Sequence, residues 1–167
     1  YFKDRYLNIP VFYSNENKPL GTGGAIARAM QMVEEKSTVI LNGDTYFPVD
    51  LNKLKHSHSK SKNDISIAVK LMYEFDRYGT VEMDRTHRIT DFNEKTYTDK
   101  GYINGGTYII NKSVFKGYNA DVPFSLEKEI FEQKVRSLKI SAFRSKAGFI
   151  DIGIPEEYER IQSMRLK

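Results

Sequence analysis

The sequence predicts an α/β domain built on a mixed sheet, and three observations carry that expectation. Strand-like and helix-like segments alternate over the first third of the chain, the order of strand–helix–strand units. From Ile65 to Asn111 the apolar runs instead follow one another through short polar turns, the order of an antiparallel meander. The 167 residues, 40% apolar and 29% charged, suit a single domain (1–167) with a real core. No repeat or linker divides it.

The elements follow in order. IPVFYS (9–14) alternates and ends in polar residues, so it is expected to be a strand. PLGTGGAIARAMQMVEE (19–35) opens on Pro and glycines and spaces Ile26, Met30 and Val33 along one helical face. STVILNG (37–43) is apolar enough to be a strand buried on both faces. DLNKLKHSHS (50–59) predicts a short helix, SKSKND a surface loop, and ISIAVKLM (65–72) the next strand. GTVEMD (79–84) and RITDFNEK (88–95) form a hairpin around their shared polar turn. YINGGTYIIN (102–111) is a strand interrupted by two glycines. FSLEKEIFEQKV (124–135) is helical with Ser125 as N-cap, SLKISAF (137–143) and GFIDIG (148–153) are strands, and IPEEYERIQSM (154–164) is a helix with Pro155 in its first turn.

Composition narrows the function classes. Without cysteine there is no disulfide framework, thiolate nucleophile or thiolate zinc site. The net charge of +4 suits a polyanionic small ligand, and its Lys and Arg are scattered rather than massed as for nucleic acid. No apolar run approaches the roughly 18 residues of a membrane span, so the default expectation is a cytoplasmic protein with no membrane partner. His56 and His58, two apart, share no helical face that would suit zinc, and no His has a setting for Ser-His-Asp catalysis.

Several stretches could carry chemistry. In LGTGGA (20–25) glycines precede a helix, where they either pack the helix tightly or open its N-terminal N–H groups to a ligand. Asp44 ends the apolar run VILNGD, where ligands of open α/β sheets bind, although a turn or capping Asp would look the same. Asp151 repeats the pattern in GFIDIGIP, again as a ligand or as a cap. Two such carboxylates can converge on Mg²⁺, which takes one or two carboxylates and fills its remaining positions with phosphate oxygens and water. Glu94 and Lys95 end a strand and face one ligand only if the chain turns there. The NGG of residues 104–106 weakens its strand unless a backbone or ligand approaches closely, and Tyr78-Gly79 marks the lip of a pocket.

Taken in order, LGTGGA, LNGDTYF, YGTV, FNEK, INGGTYI and FIDIGIPEEY resemble the sugar-phosphate nucleotidyltransferases, above all sugar 1-phosphate guanylyltransferases, over about residues 9–160. The resemblance implies a Rossmann-like domain with a mixed, mostly parallel sheet flanked by helices. It implies transfer of a nucleotidyl group from a nucleoside triphosphate, GTP for preference, to a heptose or mannose type sugar 1-phosphate. The product would be an NDP-sugar for surface polysaccharide. By motif match, Asp44 and Asp151 hold Mg²⁺ and Lys95 joins them as a catalytic residue on the sugar phosphate. Leu20, Gly21, Gly23, Gly24, Asn42 and Gly43 line the nucleotide; Tyr78, Gly79, Glu94, Asn104 and Gly105 line the sugar. A homodimer would be unsurprising. Members of the family open with a strand and a GxGTRL loop that cradles the triphosphate. That segment does not occur in these residues, so the chain is expected to be the C-terminal three quarters of the domain and inactive alone. A catalytically silent nucleotide-sugar-binding module is the alternative. A glycosyltransferase fits less well, because the next acid after Asp44 is Asp50, too far for Asp-x-Asp.

Overall fold

The structure is a computed structural model that describes residues 3–164. A small hairpin comes first, β1 (Arg5–Tyr6) with β2 (Ile9–Pro10), turned by Leu7 and Asn8, both at positive φ as a tight two-residue turn requires. The strand expected over 9–14 stops at Pro10; Val11 follows by bonding back to Asp4, and no ladder continues. Helix α1 (Gly21–Ala29) runs into a single 3₁₀ turn, Met30–Met32, so the helix expected to reach residue 35 is shorter. Next come β3 (Ser37–Leu41), β4 (Thr45–Tyr46), α2 (Leu51–Ser61), β5 (Ile65–Phe75), β6 (Thr80–Met83), β7 (Ile89–Asn93) and β8 (Thr98–Asn111). A π-helix (Leu126–Glu132), β9 (Ile140–Ser145), β10 (Ile150–Asp151) and α3 (Pro155–Ser163) complete the described chain.

Ser125 caps the π-helix as expected, and α2 has a cap of its own in Asp50. Asp50 accepts from the Lys53 N–H at the start of α2, and Ser125 from the Lys128 N–H at the start of the π-helix. Asp84 turns the β6–β7 hairpin by accepting from the N–H groups of Thr86 and Arg88.

The main sheet runs β7-β6-β8-β5-β9, with β3 also on β8. It is mixed, as expected, but not mostly parallel: among the described residues only β5 and β9 pair in parallel. The reason is an insertion. β3 and β5 run in the same direction, as a strand–helix–strand unit through α2 demands, but β8 lies antiparallel between them. β8 therefore carries β5 along one side. On its other side it carries β3 at Thr107–Asn111 and β6 at Ile103. Between those two partners Gly105 and Gly106 bulge out of register with Ala68 and Val69 of β5. The sheet forks at that bulge.

Alternation along β5 divides the core. Ile65, Ile67 and Val69 face one hydrophobic layer with Ala27 and Met30 of the α1 segment and Leu126, Ile130 and Phe131 of the π-helix. Ala68 faces the other, with Phe47, Val49, Leu54 and Ile109 under α2. β3 was expected to be buried on both faces; instead Val39 and Leu41 are 40% and 62% exposed. They point away from the layer that Ile40 joins, and no element of the described chain covers that face.

α2 also brings one polar group inside. His58 is buried, its Nε2 against Asn111 Oδ1 at 3.1 Å and its Nδ1 against Ser66 Oγ at 2.9 Å. Asn111 passes the network to the Asn63 carbonyl and to Ser37. Burial holds the imidazole pKa below its usual value, helped by Lys36 and opposed by the bond to Asn111 and by Asp64. A lowered folded-state pKa means the unfolded chain takes up the proton first, so stability rises with pH through this window. The contribution is complete above about 6.5, the unfolded value, and is lost as pH falls from there toward the lower folded value. Urea midpoints should therefore drop between pH 8 and pH 5. In His58→Gln that drop should flatten, and stability at pH 8 should fall by about 1–3 kcal/mol as Ser66 and Asn111 lose a partner.

Candidate active site

The fork in the sheet makes the site. β3 leaves β8 after Leu41, and the Asn42 N–H is held by the Gly106 carbonyl at 2.8 Å. The chain then turns through Gly43 and Asp44 into β4, which pairs with β10 so that Thr45 lies opposite Asp151. The Ile152 N–H donates to the Asp44 carbonyl at 2.9 Å. Two carboxylate residues more than a hundred positions apart are thus brought to one end of a two-stranded ladder. Asp44 itself is exposed, at the turn rather than inside the strand.

A cavity of about 490 Å³ opens at this point. Among its walls are Asp44, Asp151, Lys95, Asn42, Tyr78 and Asn104, brought together from five separate motifs. The Tyr78 hydroxyl donates to Asp151 Oδ2 at 3.0 Å, and Arg77 Nη2 approaches the same oxygen at 3.5 Å. Asp151 Oδ1 accepts from the Gly153 N–H at 3.0 Å. Burial and the bond to Asp151 push the Tyr78 phenol up to about 12, so it remains a neutral donor near pH 7. Its ring packs edge-on against Phe149, 5.8 Å between centroids, and Phe149 packs the same way on Phe47. This aromatic chain anchors the wall that bears Asp151.

A second cavity, about 260 Å³, adjoins the first and shares Tyr78, Lys95, Asn104 and Glu127 with it. Gly79 and Glu94 belong to it, over an apolar floor of Phe92 and Phe131. A Cβ on Gly79 would strike the Asn93 carbonyl oxygen, so the close crossing of β6 and β7 demands glycine there. A third cavity, about 470 Å³, follows the end of β3 and is walled by Asn42, Gly43 and Asp44 with Thr22, Ile26 and Glu127.

Five of the expected site residues are placed elsewhere. Leu20 is a core residue, and Gly21, Gly23 and Gly24 press α1 against the segment before the π-helix. The Gly23 and Gly24 N–H groups both donate to the Phe124 carbonyl, at 3.0 and 3.3 Å, so they are not turned to a ligand. A Cβ on Gly21 would lie 2.6 Å from that carbonyl oxygen. Gly105 makes room for the Phe47 ring and forms no cavity wall. Conversely, Arg77, Thr45, Tyr108, Phe149, Thr22 and Glu127 join the walls without having been singled out in the sequence. The Tyr108 hydroxyl is sealed from solvent with no well-aligned hydrogen bond, although Asn42 and Asn104 lie beside it. Burial raises its pKa far above the usual phenol range.

Among the described residues no cluster of three or more His, Cys, Asp and Glu side chains could hold a metal by itself. Asp44 and Asp151 offer hard oxygen donors only, a set suited to Mg²⁺ when a ligand's phosphate oxygens and water complete it.

The family model for nucleotidyl transferases matches residues 1–166. The chain belongs to the nucleotidyl transferase family. It is 46% identical over 162 residues to the D-glycero-α-D-manno-heptose 1-phosphate guanylyltransferase of Aneurinibacillus thermoaerophilus, covering 97% of this chain and 70% of that relative. The Campylobacter jejuni protein of the same name is 44% identical over 158 residues, with 95% and 69% covered. Among solved nucleotidyl transferase folds, the chain is similar to HddC from Yersinia pseudotuberculosis complexed with GMP-PN, at TM-score 0.81 and 38% identity. That match covers 92% of this chain and 66% of the solved one. The chain thus spans about two thirds of the length of these relatives. No helix of the described residues is long and apolar enough to cross a membrane.

Proposed function

We propose that the protein transfers a guanylyl group from GTP to a heptose-type sugar 1-phosphate, releasing pyrophosphate. The observation that carries this reading is the single cavity in which Asp44, Asp151, Lys95 and Tyr78 meet, in a chain that shares 46% and 44% of its residues with two heptose 1-phosphate guanylyltransferases. An oxygen of the sugar phosphate attacks the α-phosphorus, a new P–O bond forms, and the bond to the β-phosphate oxygen breaks. A phosphate monoester with a second pKa of about 6 is already dianionic at neutral pH, so the attack needs no general base. The task left to the protein is to gather mutually repelling anions and hold them in line.

The residues fit that task. Lys95, on the wall common to the first two cavities, supplies a point charge for the sugar phosphate. Tyr78, neutral at the working pH, fixes one oxygen of Asp151 as a hydrogen-bond donor. Glu94 and Asn104 face the smaller cavity, which suits a polyhydroxylated ring over the Phe92–Phe131 floor. Asp44 and Asp151 would hold Mg²⁺, which when bound neutralises phosphate charge. Asn42 and Gly43 are the residues that remain for the nucleotide, along the third cavity. The reading places the protein in the cytoplasm, where GTP is available, and its product in surface polysaccharide synthesis.

Pyrophosphate release from GTP and D-glycero-α-D-manno-heptose 1-phosphate, by the protein expressed at its natural length with Mg²⁺, tests the proposal. Lys95→Ala should raise KM for the sugar phosphate by roughly 10- to 100-fold, the worth of a charge-assisted hydrogen bond, with KM for GTP little changed. Binding of GDP-sugar without turnover at natural length would replace the enzyme by a silent binding module.

A further inference from the structure

The structure assigns a further specificity-determining residue: we infer that Glu127 accepts a hydroxyl of the acceptor sugar, an assignment that rests on the transfer reaction proposed above. Glu127 is the single residue that forms part of all three cavities. It lies in the first turn of the π-helix, half-buried, and its carboxylate is clamped at one oxygen. The Thr22 hydroxyl donates to Oε2 at 2.8 Å and the Ser125 hydroxyl at 2.9 Å. Thr22 Oγ1 in turn accepts from the Leu126 N–H at 2.9 Å. Two elements, α1 and the π-helix, thus fix one acid in place, while Oε1 makes no hydrogen bond or ion pair among the described residues.

A carboxylate held at one oxygen by two hydroxyls presents its other oxygen to the cavities as a fixed acceptor for a ligand's donor. The phosphates of both substrates repel it, which leaves hydroxyl and N–H groups. Of the ligands the reaction requires, the acceptor sugar offers the most hydroxyls. Two of the three cavities that Glu127 enters are the pair joined through Tyr78, Lys95 and Asn104, and Glu94 stands in the same small cavity as a second acceptor. A ring held between two acid side chains above aromatic carbon is recognised by the positions of its hydroxyls. Glu127 would therefore set which stereoisomer is accepted, through a clamp that reaches back to the N-terminal turn of α1.

The experiment uses the natural-length protein, GTP, the heptose 1-phosphate and a set of analogues each lacking one ring hydroxyl. Glu127→Ala should raise KM for the sugar phosphate by about 10- to 100-fold, Glu127→Gln by less, and neither should shift KM for GTP beyond about twofold. One deoxy analogue should be a poorer substrate than the parent for the wild type by a similar factor, yet equal to the parent for Glu127→Ala. A purely structural role would not erase discrimination at one hydroxyl. Loss confined to KM for GTP would move the contact to the nucleotide ribose and overturn the assignment, as would a penalty for every deoxy analogue unchanged in the variant. A wild type that releases no pyrophosphate from any pair would remove the parent reading, and the inference with it.

Discussion

Asp151→Asn should cut pyrophosphate release by at least roughly 10²–10³-fold, the scale seen when one charge-stabilising group is taken from a transfer site. Asp44→Asn should do the same. Both changes keep shape and remove charge, so the fold should hold: Asp44 is exposed, and at position 151 the amide keeps its oxygen for the Gly153 N–H while its NH₂ can donate to the Tyr78 hydroxyl oxygen in place of Oδ2. The loss should fall on kcat more than on either KM, because the two carboxylates act on charge that builds at the reacting phosphates. Raising Mg²⁺ should recover part of the rate in each single variant and none in the double variant. Normal turnover in both single variants would sink the role proposed for them.

The second large effect is expected at Gly105. A Cβ there would press into the Phe47 ring and lie 2.8 Å from the Ala68 carbonyl oxygen. Phe47 cannot step aside easily, since it is buried and packs edge-on against Phe149 at 5.7 Å. Gly105→Ala should therefore destabilise by about 1–3 kcal/mol through overpacking. Thermal unfolding should begin roughly 2–10 °C lower in a chain of this size. Because Phe149 also supports Tyr78, the same variant should lose sugar phosphate affinity without touching any ligand. An unchanged melting temperature would show that the bulge relaxes and that its glycine is dispensable.

How far the site can be read from the sequence depends on whether a signal is local. Asp44 and Asp151 each end an apolar run, and that alone marks them as carboxylates near a strand terminus; the β4–β10 ladder then joins them. Tyr78, Gly79, Glu94 and Lys95 sit at the open end of a hairpin whose turn chemistry is plain, so they arrive on one side together. The glycines before α1 are different. A glycine run at a helix start serves close packing or ligand approach equally well, and only the Phe124 carbonyl, a hundred residues away, decides for packing. Glu127 has no local mark at all: in SLEKEIF it is one acid among several in a capped helix, and its meaning comes from Thr22 across the interface. The sheet shows the same limit. Helix α2 correctly implies that β3 and β5 run the same way, but nothing in either strand announces that β8 will slide between them.

That insertion has a mechanical consequence. The two faces of the active site hang from the same strand on either side of a seam, one moored to the half of β8 that holds β3, the other to the half that meets β6. The separation between the carboxylate side and the sugar side is thus set at Gly105–Gly106, in the middle of one strand and not at its ends.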